Sequence, residues 1–143
     1  MIPTLDQMAA QTSRMLAKDG TMSTLDMIVN DYVTIPLTTS ATNAAISLIQ
    51  AGVTGKSLYI SYATWRVSGG SVGSTTDVTV DILDGTTLLY RTIISKSSSN
   101  GASSLISFSN PIKLTQGNSF AATATASGVA GTTITLNYGL FVK

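Results

Sequence analysis

Residues 78–94, VTVDILDGTTLLYRTII, contain the pattern that decides the fold. Every second position from Val78 to Ile82 is apolar, which is the period of a β-strand with one buried face. Asp84 and Gly85 follow, and an Asp-Gly pair predicts a two-residue turn because both residues tolerate the positive φ angles of hairpin turns. A second apolar run completes the stretch, so the sequence predicts an antiparallel β-hairpin.

The same two-residue period continues on both sides of this hairpin, from Tyr32 to the end of the chain. Pro36 lies inside the first run and predicts an edge strand, because proline cannot donate a hydrogen bond to a neighbouring strand. Residues 44–49 are ambiguous between a strand and a short helix, and Asn110-Pro111 predicts a break in a later strand. In the last run one face is apolar throughout: Ile134, Leu136, Tyr138, Leu140 and Val142.

Eight or nine short strands, separated by turns rich in Gly, Ser and Asn, predict a mainly β fold. We expect a single antiparallel β-sandwich or jelly roll of about eight strands over residues 32–143, with an N-terminal helical arm. Within residues 57–67, strict alternation places Tyr59 and Trp65 on the same face. Both faces of this strand are substantially apolar, so Tyr59 and Trp65 are candidate interface residues for contact with another subunit.

Residues 1–31 follow a helical pattern and are predicted to form the arm. Thr4 and Gln7 have the spacing of a capping box, and Gly20 is placed to end the helix. Methionine is concentrated in this segment, and its flexible side chain suits a docking surface. The pattern leaves open whether the arm contacts a partner or packs on the domain's own sheet. The candidate interface residues of the arm are Leu5, Met8, Met15, Leu16 and Met27.

The composition limits the classes of partner. Charged residues make up 10% of the chain, against about 25% in an average soluble domain. The net charge is +1, which predicts no nucleic-acid partner, and no apolar run approaches the roughly 20 residues of a membrane helix. Ser and Thr fill most polar positions, and hydroxyl groups cost less to bury against another chain than charges do. The composition favours a surface that partner proteins cover; a secreted, Thr-rich β-domain of low charge is the alternative.

The residue types also limit the chemistry. The chain contains no Glu, His or Cys, and these types supply most catalytic acids, bases and nucleophiles. Residues 52–57 resemble a phosphate loop, but Gln50 stands where the motif requires glycine and a predicted strand follows instead of a helix. Asp77 and Asp81 lie about 13 Å apart on one strand, too far for a glycosidase-type carboxylate pair. The sequence predicts no enzyme, no catalytic residues, no cofactor and no metal site.

Three segments carry a resemblance to a known class of proteins. They are GKSLYIS at residues 55–61, LLYR at residues 88–91, and NPIKLTQG at residues 110–117 ahead of a Thr/Ala-rich strand. Through them, residues 57–142 resemble the small jelly-roll structural virion proteins of tailed bacteriophages, of the capsid decoration (cement), head-fibre and neck-fibre type. This resemblance implies self-association, often as a trimer, and docking on a capsid or tail through a terminal arm. It implies no catalytic residues.

The leading hypothesis is a phage capsid decoration protein that is assembled in the host cytoplasm and located in the virion. Its expected partners are its own copies and the major capsid protein or other virion proteins. A neck or tail-fibre component is the alternative within this class, and a small hydrolase that depends on Asp77 or Asp81 is a third possibility. A glycan- or receptor-binding module predicts aromatic loops, but residues 68–76, 95–104 and 127–131 contain no Trp, Tyr or Phe.

Overall fold

The computed structural model describes residues 33–143, which form eight β-strands. The predicted arm, with its candidate interface residues Leu5, Met8, Met15, Leu16 and Met27, lies outside the described residues. The strands are β1 Val33–Thr42, β2 Ile46–Gln50, β3 Leu58–Ser68, β4 Val78–Asp84, β5 Thr87–Ile94, β6 Ser103–Lys113, β7 Phe120–Ala124 and β8 Thr133–Val142.

Two four-stranded sheets make up the domain. The first sheet has the strand order β1-β8-β3-β6, and the second sheet has the order β2-β7-β4-β5. The chain crosses from one sheet to the other at every connection except the β4–β5 hairpin. Eight strands with this alternation form a jelly roll, which confirms the predicted fold class.

The space between the two sheets is filled by one face of each strand. In β8 the predicted apolar face is buried along its whole length: Ile134, Leu136, Tyr138, Leu140 and Val142. Val78, Val80 and Ile82 of β4 are also buried. The rings of Phe120 and Tyr138 meet edge to face with their centroids 5.1 Å apart. Burial stabilises the fold by about 1.5–3 kcal/mol for each large apolar side chain, so this layer fixes the positions of the two outer faces.

A β-bulge in β3 changes which side chains point outward. The register of β3 with both neighbouring strands shifts between Ile60 and Tyr62. Ile60 and Ala63 are therefore both buried although they are three positions apart, and the alternation changes phase. The prediction that Tyr59 and Trp65 share a face is wrong for this reason. Trp65 packs against the core, whereas Tyr59 lies on the outer face of the first sheet.

The β4–β5 hairpin forms where the sequence predicts it, but its turn lies one residue later. Asp84 pairs with Thr87, so Gly85 and Thr86 form the turn instead of Asp84 and Gly85. Gly85 has a φ of 61°, and glycine at the first turn position is typical of a type II′ hairpin turn. Asp84 is thereby left at the end of β4, where its carboxylate is free to bind a neighbouring loop.

The edge strands of the first sheet both contain proline. β1 contains Pro36 and is an edge strand, as predicted. β6 continues through Asn110 and Pro111, so the predicted break at this position is wrong. The pairing of β6 with β3 jumps from Ser107 to Ile112, and the residues between them, including Pro111, need no regular ladder bond. The run that was ambiguous between strand and helix forms β2.

Candidate functional site: the outer sheet faces

An apolar row crosses the outer face of the second sheet. Ile49 of β2 lies opposite Ala121 of β7. Ala121 also lies opposite Leu83 of β4, and Leu83 lies opposite Leu88 of β5. Ile49 is 67% exposed and Leu88 is 46% exposed. With about 4.8 Å between strands, the apolar row of these four residues is about 14 Å wide. It forms one continuous exposed apolar stripe across the whole sheet, which makes it a candidate interaction surface.

A polar row lies beside the apolar row, two residues away along β2, β7 and β4 and three residues away along β5, whose register with β4 shifts between the two rows. In the order of the strands it consists of Ser47, Thr123, Asp81 and Arg91. Arg91 donates from Nε to Asp81 Oδ1 at 2.7 Å and from Nη2 to Asp81 Oδ2 at 2.8 Å. This bidentate hydrogen bond lowers the pKa of Asp81 and raises the pKa of Arg91. The outward positions of the second sheet therefore hold one cation and one anion, which neutralise each other.

An aromatic cluster lies on the outer face of the first sheet. Tyr59 stacks on Phe141, with ring centroids 4.9 Å apart and an angle of 4° between the ring planes. The Tyr62 ring lies directly over Gly139. Only glycine leaves room for it there, since a Cβ atom at residue 139 would collide with the ring. Leu105, also on this face, is 65% exposed. The cluster is a second apolar surface, separate from the apolar row.

Hydroxyl groups and cations surround this aromatic cluster. Thr38 Oγ1 donates to Asn137 Oδ1 at 2.6 Å across β1 and β8. Arg66 is exposed, and Lys113 is paired with Tyr59 and shares its outward side. The outward positions of these four strands carry no carboxylate side chain in the part of the chain that the structure describes. The first sheet therefore has a positively charged outer face, unlike the second sheet.

Of the two candidate interface residues in the described domain, Tyr59 is on an outer face and Trp65 is not. Trp65 lines a small cavity between the sheets together with Val80, Tyr90 and Tyr138. Desolvation by burial raises the pKa of Tyr138, and its hydroxyl has no hydrogen-bond partner within residues 33–143. The cavity volume is about 10 Å³, which is space for about one water molecule, so it does not suit an organic ligand.

Asp77 and Asp81 each have a structural partner. Asp77 Oδ1 accepts a hydrogen bond from the backbone N–H of Lys96 at 2.7 Å, and Asp81 is paired with Arg91 as described above. Over residues 33–143, no three side chains of the metal-ligating types His, Cys, Asp and Glu come close enough to hold an ion. The same residues include no helix of the length and apolarity needed to cross a bilayer.

Asp84 connects the β4–β5 turn to the loop between β6 and β7. Its Oδ2 atom accepts hydrogen bonds from the Thr115 backbone N–H at 2.9 Å and the Thr115 hydroxyl at 2.7 Å. Its Oδ1 atom accepts a hydrogen bond from Asn118 Nδ2 at 2.9 Å. Desolvation acts to raise the pKa of Asp84, but the hydrogen bonds from Thr115 and Asn118 outweigh it and leave the pKa lowered. The role of Asp84 is to stabilise this end of the sandwich.

The loops at the other end of the sandwich bind one another. The Gly128 N–H donates to Asn43 Oδ1 at 3.0 Å, the Gly73 N–H donates to the Ser127 carbonyl at 2.9 Å, and Thr132 donates to a neighbouring loop carbonyl. No aromatic residue occurs in these loops. Their polar groups bond to one another. Because the loops contain no aromatic side chain, this end does not offer the aromatic platform expected of a glycan site.

Neither row of the second sheet is predicted by the sequence pattern. Each row consists of residues from four strands that are far apart in the chain, so it appears only when the inter-strand register is known. One signal was present: Leu83 occupies a position in β4 where the alternation predicts a polar side chain. Ala121, in the alternating Ala/Thr segment, gives no such signal.

No family model matches the chain, and no curated protein matches it. Among solved structures it is similar to an insecticidal delta-endotoxin from Bacillus thuringiensis (15% identity, TM-score 0.38). It is also similar to the infectious bursal disease virus Gx strain (15%, 0.37) and a Bacillus endospore appendage (18%, 0.30).

These alignments cover 76%, 78% and 75% of this chain, respectively. They span only 19% of the toxin chain and 30% of the virus chain, but 87% of the appendage chain. Similarities at these TM-scores carry no functional argument. The function must be inferred from the surfaces themselves.

Proposed function

We propose that the protein is a structural component of a phage virion, a capsid decoration protein without catalytic activity that self-associates. The observation that carries the proposal is the character of the two outer faces. One has an apolar row with a single ion pair, and the other has an aromatic cluster among hydroxyl groups. The resemblance of residues 57–142 to small jelly-roll virion proteins supports the same class of function.

The proposed mechanism is geometric. The jelly roll holds its outer faces rigidly, and neighbouring chains cover them. Buried apolar side chains contribute about 1.5–3 kcal/mol each before the ordering costs of association are subtracted. A small gain per contact is sufficient in a symmetric particle, because it is repeated in many copies.

The arm of residues 1–31 is proposed to bind the major capsid protein or another virion protein. Its candidate residues Leu5, Met8, Met15 and Leu16 share a helical stripe in the sequence, and Met27 lies in a second, short element predicted after Gly20. Methionine adapts to irregular partner surfaces. Attachment through a terminal segment leaves both outer faces of the sandwich available for contacts between copies.

A non-enzymatic role is supported by the positions of the carboxylates. Asp77, Asp81 and Asp84 all accept hydrogen bonds from protein groups. A general acid or base needs access to a substrate proton, and these three groups are already engaged in holding loops and strands. The proposal therefore assigns them to stability.

The experiment is immunogold labelling of intact, purified particles from the source phage, compared with a variant that lacks residues 2–22. The full chain is expected to label the virion surface, and the shortened chain is expected to retain its β-sheet circular dichroism and lose particle binding. Particles that lack the protein would contradict the virion role. A shortened chain that still binds would move the docking site from the arm to the β-domain.

A further inference from the structure

We infer that two copies of the protein pair face to face through the outer faces of their second sheets, about a two-fold axis that runs along the strands between β7 and β4. This inference rests on the proposed self-association and adds the surface and the symmetry by which it occurs. It follows from the apolar row and the polar row, whose residues complement themselves under this rotation.

The apolar row is complementary in size. A two-fold interface brings the same surface of both copies together, so each residue must suit the residue that the rotation places opposite it. The rotation exchanges β2 with β5 and β7 with β4. Ile49 then faces the partner's Leu88, and Ala121 faces the partner's Leu83. A small and a large side chain meet at the centre, and two large exposed side chains meet on either side of it.

The polar row is complementary in charge and hydrogen bonding. Ser47 faces the partner's Arg91, and Thr123 faces the partner's Asp81. Arg91 has N–H donors beyond the two used on Asp81, and a carboxylate has acceptor positions beyond those two. The Thr123 hydroxyl therefore donates to the partner's Asp81, and the Ser47 hydroxyl accepts from the partner's Arg91. The ion pair is buried with its remaining groups satisfied, which is the condition under which a buried charge pair can be accommodated.

The charges favour the second sheet over the first. In the proposed pairing, no like charges lie opposite each other. The outer face of the first sheet carries Arg66 and Lys113 with no outward carboxylate on its described strands, so pairing that face with its own copy would bring two surfaces of like net charge together. A two-fold axis in the sheet plane but perpendicular to the strands fails. Along the polar row it places Asp81 opposite the partner's Asp81 and Arg91 opposite the partner's Arg91, and between the two rows it sets the ion pair against the partner's apolar row.

The first test uses Ile49→Glu, with Leu105→Glu as its matched control. These side chains are 67% and 65% exposed and lie on the outer faces of different sheets, so neither change should disturb the core, which circular dichroism will verify. In sedimentation equilibrium we expect Ile49→Glu to weaken association about 100-fold or more, because it places an unpaired charge opposite the partner's Leu88 twice in each pair. Leu105→Glu should leave the association unchanged.

The outcomes separate this inference from the proposed function. If the wild type self-associates and Ile49→Glu associates equally well, the pairing is wrong and the self-association stands. A wild type with an odd number of copies, such as the trimer that the resemblance implies, also overturns the two-fold pairing. A wild type that is monomeric overturns both.

The second test is cross-linking, which is specific because the chain has no cysteine. Thr123 lies next to the proposed axis, and strand and sheet spacings of about 4.8 Å and 10 Å place its Cα about 11 Å from that of the partner's Thr123. A short bis-maleimide should therefore link Thr123→Cys to its copy. Ser107→Cys, on the outer face of the first sheet, is the control and should stay unlinked. Linkage at residue 107 and not at residue 123 would overturn the inference.

Discussion

Replacing Trp65 with alanine tests the bulge in β3, with Tyr59→Ala as the comparison. Trp65 packs against the core, and removal of a fully buried Trp or Phe costs about 3–5 kcal/mol. Since Trp65 is half-buried, we expect a loss of about 2–4 kcal/mol in the free energy of unfolding. Tyr59 points outward and stacks on Phe141, so its replacement loses about 0.5–1.5 kcal/mol of pair energy plus the apolar area covered by Phe141, and we expect a smaller loss than for Trp65→Ala. The difference arises because the bulge places the two residues on opposite faces.

The assay is urea unfolding followed by circular dichroism, because Trp65→Ala removes the only tryptophan of the chain. Both substitutions are made in the Ile49→Glu background, so that association does not contribute to the measured stability. In the protein that keeps Trp65, a blue-shifted emission and weak quenching by acrylamide are expected. Equal losses for the two variants, or a larger loss for Tyr59→Ala, would refute the shifted register and restore strict alternation.

The remaining predictions concern charge, pH and backbone packing. Ser47→Asp should tighten pairing and Ser47→Arg should weaken it, because both face the partner's Arg91; equal effects in sedimentation equilibrium would contradict the axis. The lowered pKa of Asp84 stabilises the fold above its unfolded value of about 4 and this contribution is lost as the pH falls through the folded value. Asp84→Asn should therefore reduce the acid sensitivity of thermal unfolding, and an unchanged pH profile would contradict the contribution of the Thr115 hydrogen bonds to stability. Gly52→Ala should lower the stability by about 1–3 kcal/mol, because its Cβ would collide with backbone atoms of the loop between β6 and β7; an unchanged melting temperature would argue against this packing.

Sequence patterns predicted the sandwich because the alternation of β8 and β4 is set by local burial. Every residue of the predicted β8 face, from Ile134 to Val142, lies in the core. Pro36 indicated an edge strand for an equally local reason. Proline has no N–H to donate, and a sheet tolerates this only on a strand side that has no neighbouring strand. Features of this kind depend on a single strand and on which of its two faces is buried, so they can be inferred without knowledge of the neighbouring strands.

Features that depend on pairing between strands were not predictable in the same way. The bulge after Ile60 leaves no mark in the sequence, and it reversed the side on which Trp65 was expected. The turn was predicted at Asp84 and Gly85 but is formed by Gly85 and Thr86. The pairing of β4 with β5 and the hydrogen bonds from Thr115 to Asp84 together determine where β4 ends.

The outer face of the second sheet depends both on the composition of the chain and on the pairing of its strands. The scarcity of charge predicted covered faces, but only the register brings Ile49, Ala121, Leu83 and Leu88 into one line. The choice between the two sheets depends on where the few charges lie. Asp81 and Arg91 neutralise each other on the second sheet, and this pairing across strands cannot be read from the order of residues along the chain.

The molar mass of the wild-type protein in solution is the most direct test of whether other chains cover the outer faces of the sandwich. Size-exclusion chromatography with multi-angle light scattering, at tens of micromolar protein, measures this mass without a label or a partner. We predict an even multiple of the 14.8 kDa chain mass, with the multiple lost in Ile49→Glu. A mass of one chain throughout the concentration range would contradict the account.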